Sequence, residues 1–91
     1  MSNFAHVPEA LRTALATLDP VQLDIRDDSH QHAGHAGARE GGHFAVLIVS
    51  PRFAGLGTVQ RHRLVYDAAG ALMHKGIHAL SITAKTPEEL A

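Results

Sequence analysis

The sequence HFAVLIVS at residues 43–50 decides the fold, because it is apolar at nearly every consecutive position. Side chains of a β-strand alternate between two faces, so a strand that is apolar on both faces usually lies in the middle of a sheet. It has cover on both sides or a neighbouring strand at each edge. Pro51 ends the run. We therefore predict a central strand here, whose partners come from the sequence on either side.

The sequence before this strand predicts a helix and a second strand. Residues 7–18 place apolar side chains at helical spacing, and Pro20 follows the end of that pattern. Residues 21–27 alternate between apolar and polar side chains, which is typical of a strand with one solvated face. Residues 29–42, SHQHAGHAGAREGG, predict a long flexible loop that faces solvent. The two strands can pair antiparallel across that loop.

The sequence after the central strand predicts two short helices and a last strand. Thr58 is a candidate N-cap, and the helical pattern continues to Met73, with Asp67 as the point where a second helix begins. Residues 77–84 form the last strand, and its helical crossover places it parallel to an earlier strand. Thr86 begins a polar tail. The whole chain, residues 1–91, is predicted to be one small α/β domain with an ordered core of about residues 7–85.

Composition excludes several classes of protein. The chain has no cysteine, which excludes disulfides, a catalytic thiol and any thiolate metal site built from this chain alone. The net charge is −1, without the basic excess of a protein that binds nucleic acid mainly through phosphates. No apolar run approaches the ~20 residues of a membrane span, and the N-terminus does not have the pattern of a secretory signal. We expect a cytoplasmic protein without membrane contact.

Histidine is unusually frequent, with eight residues in the chain. The predicted loop contains His30, His32 and His35, and His43 follows at its far end. Imidazole is the commonest protein ligand for metal ions, and His32 and His35 could reach one ion if the loop turns. Zinc sites normally need three or four protein ligands, and exposed loop histidines are as often simply solvated. Spacing alone leaves both interpretations open.

His78 begins the last strand. Regular alternation places it on one face with Leu80 and Ile82, and places Ile77 and Ala79 on the other face. A histidine that begins an apolar strand face is more often a core-edge residue with one nitrogen hydrogen-bonded. The start of a strand also lies at the end of a sheet, where one ring nitrogen can face solvent and bind a metal.

Other candidate motifs do not predict catalysis. The run at residues 61–63, RHR, is either a phosphate or acidic-partner contact or a solvated turn in which His62 packs on Tyr66. The chain lacks glycine-rich phosphate-binding motifs and a nucleophile-elbow serine. Asp27 and Asp28 are neighbours on a strand, so they point to opposite faces and make a poor acid/base pair. We predict that the chain is not an enzyme.

Five blocks of sequence resemble the BolA-like family. They are residues 27–32 (DDSHQH), 42–44 (GHF), 49–55 (VSPRFAG), 61–66 (RHRLVY) and 77–81 (IHALS). The resemblance extends over about residues 7–88 and implies a fold similar to a type II KH domain. That fold has the element order αββααβ and a three-stranded mixed sheet, which is the order that the sequence pattern predicts.

The resemblance also implies a partner and a cofactor. Family members pair with a monothiol glutaredoxin around a shared 2Fe–2S cluster, for which the glutaredoxin cysteine and glutathione supply thiolates. The family's ligand from the start of the last strand falls on His78, and its loop ligand falls on His32. This loop is longer than in many members, so His35 competes with His32 for that role. The implied function is iron–sulfur cluster trafficking or iron and redox regulation, by a chain that is a monomer or weak dimer when free.

Two other functions remain as alternatives. A DNA-binding regulator would use the KH-like surface with Arg52, Arg61, Arg63 and Lys75, although the glycine-and-lysine loop of KH domains is not recognisable at residues 66–70. Aromatic residues make up only 4% of the chain, which leaves few rings on which bases could stack. A metallo-hydrolase using the loop histidines ranks last, because no third ligand and no carboxylate base converge with them.

Overall fold

The computed structural model describes residues 7–28, 42–70, 72–75 and 77–90, except the side chains of His74, Lys75 and His78. The helices are α1 (Val7–Leu15, extended by a 3₁₀ turn at Ala16–Leu18), α2 (Thr58–Ala69), α3 (Leu72–Lys75) and α4 (Pro87–Leu90). The strands are β1 (Gln22–Asp27), β2 (Gly42–Val49) and β3 (Ile77–Lys85), and a second 3₁₀ turn covers Pro51–Phe53. Except for α4, this is the predicted order αββααβ, which confirms the small α/β domain; the likeness to a type II KH domain stays a prediction. No helix in these ranges is long and apolar enough to cross a bilayer.

The three strands form one mixed sheet in the order β1-β2-β3. β1 pairs antiparallel with β2, with Leu23 opposite Ile48. β3 pairs parallel with β2, with Ile82 opposite Val46. The prediction of a central strand is confirmed, because β2 has a neighbouring strand at each edge.

The core lies between the helices and one face of the sheet. Alternate residues of β2 are buried in it, and they are joined by side chains from the helices, the 3₁₀ turns and both outer strands. The residues with the least exposed surface in this core are Val7, Leu11, Leu15, Ile48, Phe53 and Val65. The intervening β2 residues Ala45 and Leu47 are half-buried on the opposite face.

The start of β3 departs from regular alternation. Gly42 is opposite Ile77, but His43 is opposite Ala79, so His78 is an extra residue in the ladder. An extra residue reverses the alternation of side chains before it. Ile77 is therefore 5% exposed and packs in the same core as Leu80. The prediction that Ile77 and Leu80 face opposite sides of the sheet is wrong for this reason.

The boundaries of α2 also differ from the prediction. The helix continues through Asp67 and ends at Gly70, whose φ of 56° is in a region that favours glycine. At the other end Gly57, not Thr58, is the N-cap, and its N–H donates to the Gln60 side chain at 3.0 Å. A side chain that reaches back from the first turn replaces the expected threonine cap.

The predicted polar tail is a capped one-turn helix, α4. The N–H of Thr86 donates to Glu89 Oε1 at 2.7 Å, and the N–H of Glu89 donates to Thr86 Oγ1 at 3.3 Å. This reciprocal pair is a capping box. Thr86 itself is buried, so the last turn is part of the folded domain.

Candidate functional site

The residues that flank the segment with His32 and His35 lie at the same end of the sheet as the backbone of His78. β1 ends at Asp27, and the N–H of the next residue, Asp28, donates to the carbonyl of His43 at 2.7 Å. On the other side of β2, Gly42 is opposite Ile77, the first residue of β3. The chain therefore leaves for residues 29–41 and returns from them beside the head of β3. We call Asp28, Gly42, His43, Ile77 and His78 the loop end of the sheet.

The structure locates each predicted ligand only in part. His32 and His35 lie in residues 29–41, outside the described residues. The backbone of His78 lies at the register shift of β3, and its side chain is outside the description. Neighbouring strands are ~4.8 Å apart, so Gly42, the flank on β2, lies about one strand spacing from the start of β3, and Asp28, the flank after β1, lies about two. The assignment of His78, with His32 or His35, stays a prediction.

A charged pair lies at the point where β1 leaves the sheet. Arg26 donates from Nε and Nη2 to the two carboxylate oxygens of Asp28, at 2.7 and 3.1 Å. The side chain of Asp28 is only 18% exposed, and the hydrogen bond from its carboxylate raises the pKa of the Arg26 guanidinium. Sequence reasoning considered Asp28 only as a partner of Asp27. Residues two apart on a strand share a face, and that spacing was the available signal for the Arg26 pair.

The donor chemistry of this end suits a metal group that is shared with another molecule. The chain offers no thiolate, because it has no cysteine. In the described ranges no three histidine or acidic side chains come close enough together to hold a metal ion. A metal group with thiolate ligands could be held here only if another molecule supplied those thiolates.

Arg61, a candidate for DNA contact, has a structural role. Its Nε donates to the Leu56 carbonyl at 2.8 Å, and Nη1 donates to the Ala84 carbonyl at 3.1 Å. Nη1 and Nη2 also bind both carboxylate oxygens of Glu89, at 2.6 and 3.1 Å. With 13% of the side chain exposed, Arg61 has little surface left for a phosphate.

The other DNA-contact candidates lie on the turn after β2, on α2 and on α3. Arg52 pairs with Asp19 at 3.1 Å, and both side chains are largely exposed. Arg63 is exposed on α2, and the Lys75 side chain is outside the description. Their role in DNA binding stays a prediction.

The face of the sheet opposite the helices forms a shallow concavity of about 440 Å³. Its lining is Asp24, Ile25, Arg26, Ala45, Val46, Leu47, Ser81 and Thr83. None of these side chains is aromatic, so the concavity lacks the rings that bind bases by stacking.

Comparison with known proteins identifies the family. The family described as "BolA-like protein" matches residues 15–89. The protein named BOLA1, chloroplastic, from Arabidopsis thaliana is 51% identical over 76 residues, which cover 79% of this chain and 48% of that protein. SufE-like protein 1, chloroplastic/mitochondrial, from the same plant is 49% identical over 79 residues, which cover 80% of this chain and 21% of that protein.

A solved structure extends the likeness to the fold. BolA1 from Arabidopsis thaliana superposes with a TM-score of 0.79 at 46% identity, covering 98% of this chain and 97% of that one. The chain spans about half the length, or less, of the two curated plant relatives that it matches. Sequence and fold agree over nearly all of the chain, which belongs to the BolA-like family.

Proposed function

We propose that this BolA-like chain pairs with a monothiol glutaredoxin and contributes histidine ligands to a 2Fe–2S cluster shared by the two proteins. The role would be iron–sulfur cluster trafficking or iron and redox regulation, as a binding partner and not as an enzyme. One observation carries the proposal: the two residues that flank the histidine-rich segment, Asp28 and Gly42, lie at the same end of the sheet as the backbone of His78, and Gly42 is on the strand next to it.

The register shift at His78 supports this location. An extra residue in a strand is a common device beside functional sites, because it interrupts regular pairing and changes the direction of a side chain. The shift also allows the residues on its two sides to keep different roles. Ile77, before the shift, stays in the core, and Ala79, after it, pairs regularly with β2.

The chemistry of the chain's donors fits the proposed division of labour. His78 would be one ligand, and His32 or His35 the second, while the partner's cysteine and the glutathione that it brings supply thiolates. When bound, such a cluster supplies electron transfer at a potential that imidazole ligands raise relative to thiolates. Only a neutral imidazole can bind the iron, so we expect binding to weaken as the pH falls through about 6.5.

Reconstitution tests the proposal. The chain is mixed with a monothiol glutaredoxin, iron, sulfide and glutathione, and the complex is followed by size-exclusion chromatography and visible circular dichroism. We expect a coloured heterodimer whose spectrum changes, or whose colour is lost, in the His78→Ala variant. His62→Ala is the matched control, because His62 lies on α2 in a groove beside the far end of β3.

Single variants then distinguish the loop ligands. We expect either His32→Ala or His35→Ala to change the spectrum of the heterodimer, and the other to leave it as in the parent. If His78→Ala keeps both the spectrum and the lifetime of the parent cluster, the proposed ligation is wrong.

The cytoplasm is the proposed compartment. The two plant relatives carry names that assign them to chloroplasts or to chloroplasts and mitochondria. Fractionation of host cells that express the tagged chain tests the proposal, and recovery in an organelle fraction would contradict it.

A further inference from the structure

The outer edge of β3 carries backbone groups that no other strand of the described chain uses. β3 is the last strand of the sheet, so only its other edge pairs with β2. The carbonyl of Lys85 accepts the Ser50 N–H at 2.9 Å and therefore faces β2. The carbonyl of Ala84 accepts Arg61 Nη1 at 3.1 Å and faces away. Because neighbouring residues direct their backbone groups to opposite edges, those of Leu80 and Ile82 also face away from β2.

A groove follows this edge. It has a volume of about 150 Å³ and runs between the start of α2 and the second half of β3. Its lining residues are Thr58, Arg61, His62, Ile82, Thr83, Ala84 and Lys85. The groove therefore combines outward-facing strand backbone with space for an added chain.

The described lining of the groove has cationic side chains and no carboxylate. It contains Arg61 and Lys85, together with His62. Glu89 offsets the charge of Arg61 from the side of α4, which leaves Lys85 as the lysine available to a bound anion. A segment that enters the groove with an acidic side chain would meet an opposite charge at the exposed Lys85.

The outer edge of β1 has the opposite character. The carbonyl of Leu23 also faces outward, and it accepts Arg12 Nη1 at 3.1 Å. Three aspartates lie on or next to β1, at Asp24, Asp27 and Asp28. Like charges would disfavour an acidic strand there, so the two edges of the same sheet discriminate between segments by charge.

We propose that the outer edge of β3 binds an extended, acidic segment of a partner protein as a fourth strand. Main-chain hydrogen bonds to Ile82 and to the N–H of Ala84 provide the pairing, and an acidic side chain binds Lys85. The inference does not depend on the cluster: it concerns the other end of the domain and needs neither iron nor a glutaredoxin. A second copy of this chain is less suitable, because its acidic β1 added to this edge would produce an open-ended chain of copies.

The test uses the metal-free chain and an acetylated, amidated eight-residue peptide of alternating glutamate and valine. In ¹⁵N NMR spectra we expect shifts at residues 80–85, and hydrogen exchange at the amides of Ile82 and Ala84 slowed by about tenfold or more. A version of the peptide with alternate N-methylated amides cannot pair as a strand, and we expect it not to bind.

Charge variants provide the second readout. We expect Lys85→Glu to weaken peptide binding by about tenfold, because it replaces attraction with repulsion inside the groove. Arg63→Glu makes the same change of charge on α2 outside the groove lining, and we expect an effect of about twofold or less.

Four results would each overturn the proposal. They are equal binding of a lysine–valine peptide, equal binding of the N-methylated peptide, shifts confined to β1, and shifts at residues 80–85 produced by single-stranded oligothymidine instead of the peptide. Concentration-dependent self-association in analytical ultracentrifugation, lost in Lys85→Glu, would assign the edge to a second copy and likewise overturn it.

Discussion

The two ends of the β-sheet differ in the contacts that the structure describes at each of them. At the end of β2, the buried Ser50 hydroxyl donates to the Leu18 carbonyl at 2.6 Å, which ties the sheet to the turn after α1. Beside it, Arg61 connects α2, β3 and α4 through Glu89. At the loop end, regular pairing is interrupted at His78, and the chain departs for residues 29–41. We call the end of the sheet that carries Ser50, Arg61 and Glu89 the clamped end.

This difference shows how a domain with one modest core can support an irregular site. The clamped end supplies long-range side-chain hydrogen bonds from Ser50 and Arg61. The loop end contributes a backbone hydrogen bond between Asp28 and His43 and the buried side chain of Ile77. Histidines offered to a partner must keep a ring nitrogen accessible, which is incompatible with full burial. We therefore expect variants at the clamped end to reduce stability, and variants at the loop end to reduce cluster binding.

The largest expected loss of stability follows removal of a core ring at the clamped end. Phe53 lies in the 3₁₀ turn after β2 and is 0% exposed. We expect Phe53→Ala to lower the free energy of unfolding by about 3–5 kcal/mol, through lost burial and a residual cavity. Urea unfolding followed by circular dichroism measures it. Val59→Ala, at a site 69% exposed, is the control, and a similar loss in both variants would contradict the prediction.

A smaller loss is expected when the tie between the turn and the sheet is removed. Ser50→Ala deletes the hydroxyl that donates to Leu18 and accepts from the Arg52 N–H. A buried carbonyl left without its donor costs about 1–3 kcal/mol, which urea unfolding would detect. Thr17→Ala removes an exposed bond of the same kind, from Thr17 Oγ1 to the Ala14 carbonyl at 2.9 Å. The idea of a clamped end fails if the two variants cost the same.

Deletion of His78 tests the other side of the comparison. Because His78 is the extra residue of the ladder, its deletion restores regular alternation and keeps Ile77 on the core face with Leu80. We expect a loss of about 1 kcal/mol, near the average for a point mutation, together with loss of cluster binding. Deletion of Ser81 is the control, since it moves Leu80 to the open face. Greater destabilisation by the His78 deletion would contradict this account.

The smallest expected effect is a dependence on acid pH. Hydrogen bonds from Arg61 and from the Thr86 N–H lower the pKa of Glu89 to about 2 from 4.5. The unfolded chain therefore binds this proton more readily, so the stabilisation is complete above pH 4.5 and is lost as the pH falls toward 2. We expect the urea midpoint of Glu89→Gln to fall less over this window than that of the parent.

Glu88→Gln is the control for this measurement, because Glu88 is the adjacent carboxylate outside the Arg61 pair. Its urea midpoint should follow the parent across the same window. If the urea midpoints of the parent and of Glu89→Gln fall in parallel as the pH is lowered, the Glu89 carboxylate does not stabilise the clamped end.

Elements specified by local patterns were predicted well. The helix at residues 7–18 and the two antiparallel strands follow from side-chain periodicity, which neighbouring residues determine. The ion pair of the clamped end could not be predicted, because Arg61 and Glu89 are 28 residues apart and neither has a distinctive local pattern. The ligand assignment to His78, His32 and His35 came from resemblance to a family, and it stays a prediction.

By itself, the sequence determined the kind of elements, their order and the central place of β2, because these depend on the period and length of apolar runs. It also determined that any thiolate ligand of a metal group bound by this chain must come from another molecule, since there is no cysteine. Only the tertiary structure decided that Ile77 shares a face with Leu80, and that Arg61 connects the elements of the clamped end. Register and long-range hydrogen bonds depend on which distant backbone groups meet, and no local pattern specifies that.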